Sequence, residues 1–309
     1  VPAGIEIAYK TVLLGVEQLE ADAEDWDDKA NVQQYDFVDG YNNADRAELM
    51  KQTQAHFPMI YKYMQVCYGT EGMLWVLWRG KHVRTVPCKH GVWQGDPLGM
   101  HSFIISTMNF IAELVTKLRP HNVFREYEYA ADRELEQGES AAFVSIADDL
   151  TVVTRNQHSV RVAKMIFDIA KRHGVRMSAS KLEIYSAGSE SGKLELEVLE
   201  EFKEMGIEVN KRGLRRLLGA PIGSTMFKLA ADGHLQSVLE KSELFLAMIS
   251  EFQHTHAHHL MLRYCGSTTM QHLTRMVPPH QLRGFASQMQ DLILDNLSLL
   301  LATDTLTPF

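Results

Sequence analysis

"FVSIADDLTVV", residues 143–153, sets Asp148 and Asp149 side by side between two runs of apolar and β-branched residues. Those flanks favour extended chain, so the stretch reads as strand, tight turn, strand, with both carboxylates in the turn. Asp is common in such turns because its short side chain tolerates their geometry. Taken alone, the pair is therefore an ordinary hairpin tip. It becomes chemistry if a third carboxylate meets it, because clustered carboxylates repel and desolvate one another unless a cation lies between them.

Working outward, the third carboxylate is Asp36. "VQQYDF" reads as a short strand ending in that residue, more than a hundred positions before the hairpin. Ends of neighbouring strands can lie close whatever their separation in sequence. Hard carboxylate oxygens suit Mg²⁺. Two such ions can hold both the attacking and the leaving oxygen of a phosphoryl transfer.

The other segments supply a frame. Ile5, Ala8, Val12, Leu13 and Val16 fall at helical spacing, and "EADAEDWDD" after them is an acidic surface turn. "NADRAELMKQTQAHF" reads as a helix capped by Asn43 or Asp45. "MLWVLWRG" and "HVRTVPC" are strand-like runs around a turn. "DPLGMHSFIISTMNFIAELVTKL" is a long apolar helix with Pro97 near its first turn. Residues 119–140 are polar and irregular, which suggests a surface excursion. "HSVRVAKMIFDIAKRHG" is an amphipathic helix stopped by Gly174, "KLEIYS" a strand, "LEVLEEFKEMG" another helix, and "RRLLGAPIG" strand-like with a turn. After about residue 225 the pattern is helical to the end. The expected class is α+β, with a helical module following the mixed body.

Composition excludes several alternatives. No apolar run approaches the roughly 20 residues that span a bilayer, so no membrane partner is expected. "VPAGIEIAYK" lacks the basic-then-apolar order of a secretory signal, and Cys67, Cys88 and Cys265 form no CxxC pair. An intracellular, reducing compartment follows as the expectation. A net charge of −8 disfavours a chain coated in nucleic acid but leaves room for one basic channel.

"GVWQGDPLGM", residues 91–100, sets Gln94 between glycines before the long helix. With it, the sequence resembles the reverse transcriptase family, most closely its non-LTR (LINE-type) retroelement branch. The family hallmark "GVxQGDPLSP" differs only in its last two residues. "YDFVDGYNNADR" looks like the first-aspartate motif, "IADD" like "YADD", "MSASKLEIYS" like the lysine motif, and "LLGAPIG" like "LGxPIG". The five stand in family order, and the resemblance spans about residues 2–224.

The resemblance implies a polymerase palm: an antiparallel sheet with helices packed on one face, partial fingers, then an all-helical thumb-like module. Residues 1–35 would be a leading-helix remnant of the fingers. Residues 36–224 would be the palm, with a fingers-like insertion near 57–90, and 225–309 the thumb-like module. The implied activity is RNA-directed DNA synthesis on an RNA template, transferring a dNTP to the 3′-hydroxyl of a DNA primer. It implies two Mg²⁺ ions, replaceable by Mn²⁺, on Asp36 and Asp148, with Asp149 completing the cluster. The Phe37 carbonyl adds a possible ligand. Tyr41 lies under the incoming sugar and blocks a 2′-hydroxyl, Gln94 and Gly95 line the nucleotide pocket, and Lys181 sits by the leaving pyrophosphate.

The chain departs from the pattern at Ile146 (family tyrosine), at Ser178 (asparagine) and at Asp39-Gly40-Tyr41 (Asn-Ala-Phe). The basic fingertip expected before the first aspartate has no counterpart, which points to a fragment of a longer polyprotein. A catalytically silent nucleic-acid-binding remnant, or an RNA-templated RNA polymerase, are the competing readings; Tyr41 argues against the latter.

Four readings remain outside that frame. His254, His256, His258 and His259, with Cys265 and His272 beyond, allow metal ligation, but a polar inter-helix loop is preferred. "KRGLRR", 211–216, could meet phosphates or be a solvated turn. "KRHGVR" near residue 171 suits a helix C-terminus. Trp75, Trp78 and Trp93 could stack on bases, but core packing is the preferred reading.

Overall fold

A computed structural model describes residues 4–21, 23–118, 140–187, 196–209, 214, 216–222, 227–251, 254–266, 269–277 and 279–301. The chain opens with helix α1 (Gly4–Ala21) and strand β1 (Ala30–Asp36), then α2 (Gly40–Asn43), α3 (Arg46–His56) and α4 (Pro58–Tyr68). A ribbon, β2 (Gly72–Trp78) and β3 (Lys81–Cys88), leads to α5 (Gly99–Leu118). The hairpin β4 (Ser140–Ile146) and β5 (Asp149–Arg155) precedes α6 (Ser159–Arg172), β6 (Glu183–Ser186) and α7 (Leu196–Glu204). Short strands β7 (Arg216–Leu217) and β8 (Ala220–Pro221) follow. Helices α8 (Phe227–Ser250), α9 (Thr255–Met261), α10 (Thr269–Met276) and α11 (Pro279–Leu301) complete the described chain.

The mixed α/β body is built on an antiparallel sheet of order β4-β5-β1-β6. Strand alternation gives it two unlike faces. On the first, Tyr35, Leu150, Val152 and Ile184 pack against Leu49 of α3, Phe103 and Phe110 of α5, Ile166 of α6 and Phe202 of α7. Helix α6 earns its place by spacing: Val162, Ala163, Ile166, Ile169 and Ala170 form one buried stripe. On the second face, Ala30, Val32, Val153 and Tyr185 are covered by Tyr9, Val12 and Val16 of α1 and by the β7–β8 turn. Tyr9 Oη donates to the Pro221 carbonyl at 2.6 Å.

Helices on one face only was the expectation; α1 corrects it. At the Ala30 end of β1 the second face is apolar, with Ala30 and Val32 beside Val153 and Tyr185, so that face needs cover there too. That cover stops short of the opposite strand ends. Gln34, Asp36 and Asp149 are only half-buried, and the sheet's acidic end stays open.

Local chemistry sets the boundaries. Asp45 caps α3, its Oδ1 accepting from Ala47 N at 2.7 Å and Glu48 N at 3.1 Å. Helix α5 starts at Gly99 and not at Pro97. Asp96 Oδ1 accepts from Leu98 N at 2.8 Å, and the resulting turn leaves Pro97 outside the helix. Helix α4 had no counterpart in the sequence reading. Among its residues only Met64 and Tyr68 are buried, a stripe too thin for periodicity to reveal.

The C-terminal segment is helical as expected. Leu235 and Leu239 of α8, Leu273 of α10, and Phe285 and Met289 of α11 share one core. The histidine-rich stretch is not a loop: His254 caps α9, Nδ1 accepting from Ala257 N at 3.2 Å, and His258 is buried within that helix. His272 instead bonds the Leu218 carbonyl at 2.9 Å. Residues 119–139, most of 211–216 and Gly223 lie outside the described residues, so the surface-excursion and phosphate-contact readings there stand as expectations. Among the described residues, no helix is long and apolar enough to cross a membrane.

Candidate active site

Registry assembles the site. Asp36, last residue of β1, lies directly opposite Asp149, first residue of β5, and Ile146 of β4 pairs with Asp149 from the other side. Paired residues of an antiparallel ladder project to the same face, so the two carboxylates share the open end of the second face. Asp149 belongs to the strand; the turn proper is Ala147-Asp148. Ala147 is left-handed there (φ 52°), a conformation costing a residue with a β-carbon about 1–2 kcal/mol.

Lys181 closes the group. Its Nζ lies 2.6 Å from Asp36 Oδ2. The bridge between Phe37 and Met177 brings its loop there, with Ser178 N donating to the Asp36 carbonyl at 2.9 Å. Asp36, Asp149 and Lys181, with Gln34, Ser180 and Glu183, line a hollow of about 290 Å³. A larger hollow, about 580 Å³, is lined by Asp25, Trp26, Glu197 and Glu201. Of these two, the smaller is the candidate site because it is lined by both strand-end carboxylates and by the Lys181 ammonium.

Electrostatics there are those of an under-neutralised acidic cluster. Burial pushes the Asp149 carboxyl above its ordinary range, and Asp148 and Asp36 push it further, against a hydrogen bond from Gln34. Lys181 is held above its usual value chiefly by its bond to Asp36, with Asp39 adding to the effect. The donor chemistry therefore fits a hard divalent cation: oxygen ligands, excess negative charge, and a lysine in a compensating position. The geometry is less complete. Among the described residues, no group of three or more His, Cys, Asp or Glu side chains is arranged to hold a metal ion, and Lys181 takes one Asp36 oxygen.

The sign of the Asp149 shift makes a prediction. Its folded-state value lies above the unfolded one, so the folded protein loses stability as pH rises from the unfolded carboxyl range through the folded value. Asp149→Asn should therefore melt higher than the parent at neutral pH without divalent metal. The gain should be about 0.2–1 kcal/mol, the size of exposed charge effects. It should vanish below the unfolded range, where both carboxyls are protonated. Melting curves across pH check this; a loss at neutral pH contradicts it.

The remaining sequence candidates sit around this centre rather than in the hollow. Tyr41, on α2, stacks on Phe103 with ring centroids 5.1 Å apart, and burial and then the Asp148 charge push its hydroxyl upward. It is thus both a core-packed ring and a neighbour of the acidic turn. Gln94 and Gly95 are exposed on a loop tied to α2, where Val92 N donates to the Tyr41 carbonyl at 2.7 Å and Gly91 N to the Ala44 carbonyl at 3.0 Å. A β-carbon on Gly91 would lie 2.3 Å from the Asn42 carbonyl oxygen, so only glycine permits that approach. The Phe37 ring is buried against Phe103 and Phe110, away from the hollow. Asp148, Tyr41, Gln94 and Gly95 do not line the hollow.

Gln34 was missed from sequence. Alternation alone could have found it: two residues before Asp36 on one strand, it must share its face. Arg46 was read only as part of a motif. The structure makes it a clamp, with Nε donating to the Gly91 carbonyl at 2.8 Å and Nη1 to the carbonyls of Thr70 and Cys88 at 3.2 and 3.0 Å.

No family model matches this chain, and no curated protein does. Solved structures that resemble it include the telomerase of Candida albicans in complex with a TWJ fragment of telomeric RNA. That match has 13% identity and a TM-score of 0.43, covering 96% of this chain and 47% of the other. The Candida tropicalis telomerase, in complex with the same kind of fragment, matches at 13% identity and a TM-score of 0.38, covering 94% and 50%. The chain spans about half the length of these two proteins, and neither is described as a non-LTR retroelement protein.

Proposed function

We propose that this chain is the palm, with a thumb-like helical module, of an RNA-directed DNA polymerase of reverse-transcriptase type. The observation that supports it is convergence: residues of the first-aspartate, "ADD" and lysine motifs, far apart in sequence, meet at one open sheet end. The "GVWQGDPL" loop is tied by its backbone to the Tyr41 helix beside them.

In this reading Asp36 and Asp148 would hold two Mg²⁺ ions, or Mn²⁺ in their place; such ions would supply a lowered pKa at the primer 3′-hydroxyl and neutralisation of the triphosphate charge. Asp149 keeps the cluster electron-rich. The Tyr41 ring, backed by Phe103, stands as a wall against a 2′-hydroxyl, and rejection by a wall requires no polar partner. Gln94 and Gly95 orient the nucleotide against the template. Lys181, released from Asp36, offers its ammonium to the leaving pyrophosphate as charge partner or proton donor. The non-LTR affiliation rests on the motif resemblance.

The competing reading is a nucleic-acid-binding remnant without catalysis. The Lys181–Asp36 pair favours it, because an ammonium already stands where a metal-bound carboxylate oxygen is needed. Primer extension separates the two. With an RNA template, a DNA primer, dNTPs and millimolar Mg²⁺, the chain should extend the primer; none with either metal defeats the catalytic reading. Tyr41→Ala should then admit ribonucleotides, with discrimination falling about ten-fold or more per clash removed. An unchanged sugar preference refutes the gate.

A further inference from the structure

The β2–β3 ribbon belongs to neither the sheet nor the hollow, and it overturns one sequence expectation. Trp75 and Trp78 are not core residues: they are 73% and 69% exposed. Leu74, Val76 and Leu77 are exposed beside them. A two-stranded ribbon is marginal in water on its own, and an apolar surface of this extent marks an interaction site. The ribbon's foot is nevertheless fixed, since Arg46 bonds the carbonyls of Thr70 and Cys88 at its two ends. It is thus a presented surface on a rigid mount.

Charge identifies what covers it. Residues 72–90 contain Arg79, Lys81, Arg84 and Lys89 and no Asp or Glu, within a chain of net charge −8. Lys89 is engaged by Glu71 at the foot. Arg79, Lys81 and Arg84 are exposed, and none forms an ion pair among the described residues. Register sets ring and cations on one face: Lys81 lies opposite Trp78, and Arg84 opposite Val76, two residues before it, while Trp75 projects to the other face against His82. An exposed indole beside two cations on one face of an extended ribbon matches an unstacked base on a phosphate backbone.

We propose that this ribbon is a binding surface for single-stranded nucleic acid, gripping it by indole stacking and phosphate pairing without regard to base sequence. This goes beyond the polymerase reading and does not rest on it, since no ribbon residue lines the hollow.

The test is fluorescence anisotropy of the full chain with labelled oligonucleotides of mixed sequence, in EDTA and without dNTP, so that the candidate active site takes no part. Trp75→Ala with Trp78→Ala should weaken binding about ten-fold, the contribution of the Trp78 indole beside the cations. The Trp→Phe pair should recover most of that loss, because it keeps a ring. Lys81→Gln with Arg84→Gln should lower the slope of log affinity against log salt by about 1.4, at roughly 0.7 per phosphate contact. Single-stranded RNA and DNA should bind alike, since neither contact reads the 2′-hydroxyl, and a duplex of the same sequence should bind at least about ten-fold weaker. Unchanged affinity in the alanine pair, no recovery with phenylalanine, or a duplex bound as tightly overturns the proposal. So does sedimentation showing that the alanine pair abolishes self-association while leaving oligonucleotide affinity intact, which would assign the ribbon to a second copy of the chain.

Discussion

On the proposed polymerase reading, Asp148→Ala and Asp36→Asn should each abolish template-directed primer extension while leaving the fold standing. The expected loss is about three orders of magnitude or more, above the ~10²–10³ that removal of one oxyanion donor costs, because each substitution removes a carboxylate that the proposal assigns to the metal ions. The fold should hardly notice. Asp148 sits in a turn, and its removal lessens the charge pressing on Asp149. Asp36 is paired with Lys181, but both side chains are substantially exposed, at 36% and 66%. Such a pair contributes no more than about 1 kcal/mol. A melting temperature close to the parent's, beside lost extension, is therefore the signature of a catalytic role. Extension within about ten-fold of the parent in either variant is incompatible with metal-assisted chemistry at these carboxylates. Coincident loss of activity and stability would make Asp36 structural instead.

Arg46→Ala has the largest expected effect on stability. The side chain is 9% exposed. Its guanidinium serves three backbone carbonyls, and it lies over the Tyr68 ring, 5.5 Å from the centroid. Truncation leaves the buried Gly91 carbonyl and the part-buried Thr70 and Cys88 carbonyls without this donor, at about 1–3 kcal/mol for each one that water cannot reach. A total near 2–4 kcal/mol is expected, and each kilocalorie lowers the melting temperature of a body this size by about 2–4 °C. Arg46→Lys should recover little, since an ammonium cannot reproduce the planar fork. Hydrogen exchange should accelerate at the ribbon foot and in the 91–98 loop together, because one side chain holds both. A melting temperature within about 1 °C of the parent would show that the clamp contributes nothing.

Much of the mixed body was legible. The strand ending at Asp36, the hairpin carrying Asp149, the stripe of α6 and the helical C-terminal segment each announce themselves by period or punctuation within a short window. What failed had no local signal. Helix α4 buries two residues, too few to count. Trp75 and Trp78 looked like core because most tryptophans in apolar runs are; their exposure depends on what lies beside the ribbon. The histidine stretch reads as a polar loop until His254 is seen capping a helix that buries His258.

The buried polar ladder shows the same limit. Asn31, Gln33 and Asn156 are fully buried, linked by Asn31 Nδ2 to Asn156 Oδ1 at 3.1 Å and by Gln33 Nε2 to the Ser159 carbonyl at 2.8 Å. No pattern rule places amides inside, and only partners brought by other strands make their burial tolerable.

By itself the chain's covalent order determined most of the strand and helix segments, α4 and α9 excepted, and which carboxylate ends β1, because backbone preference and side-chain period are properties of a few neighbouring residues. Tertiary structure alone decided that Asp36 faces Asp149, that Lys181 reaches Asp36, that α1 covers one end of the second face and leaves the other open, and that a tryptophan ribbon stands clear of the core. Each of those depends on strand registry and on packing between distant segments, and the free energies that select among them arise only when those segments meet.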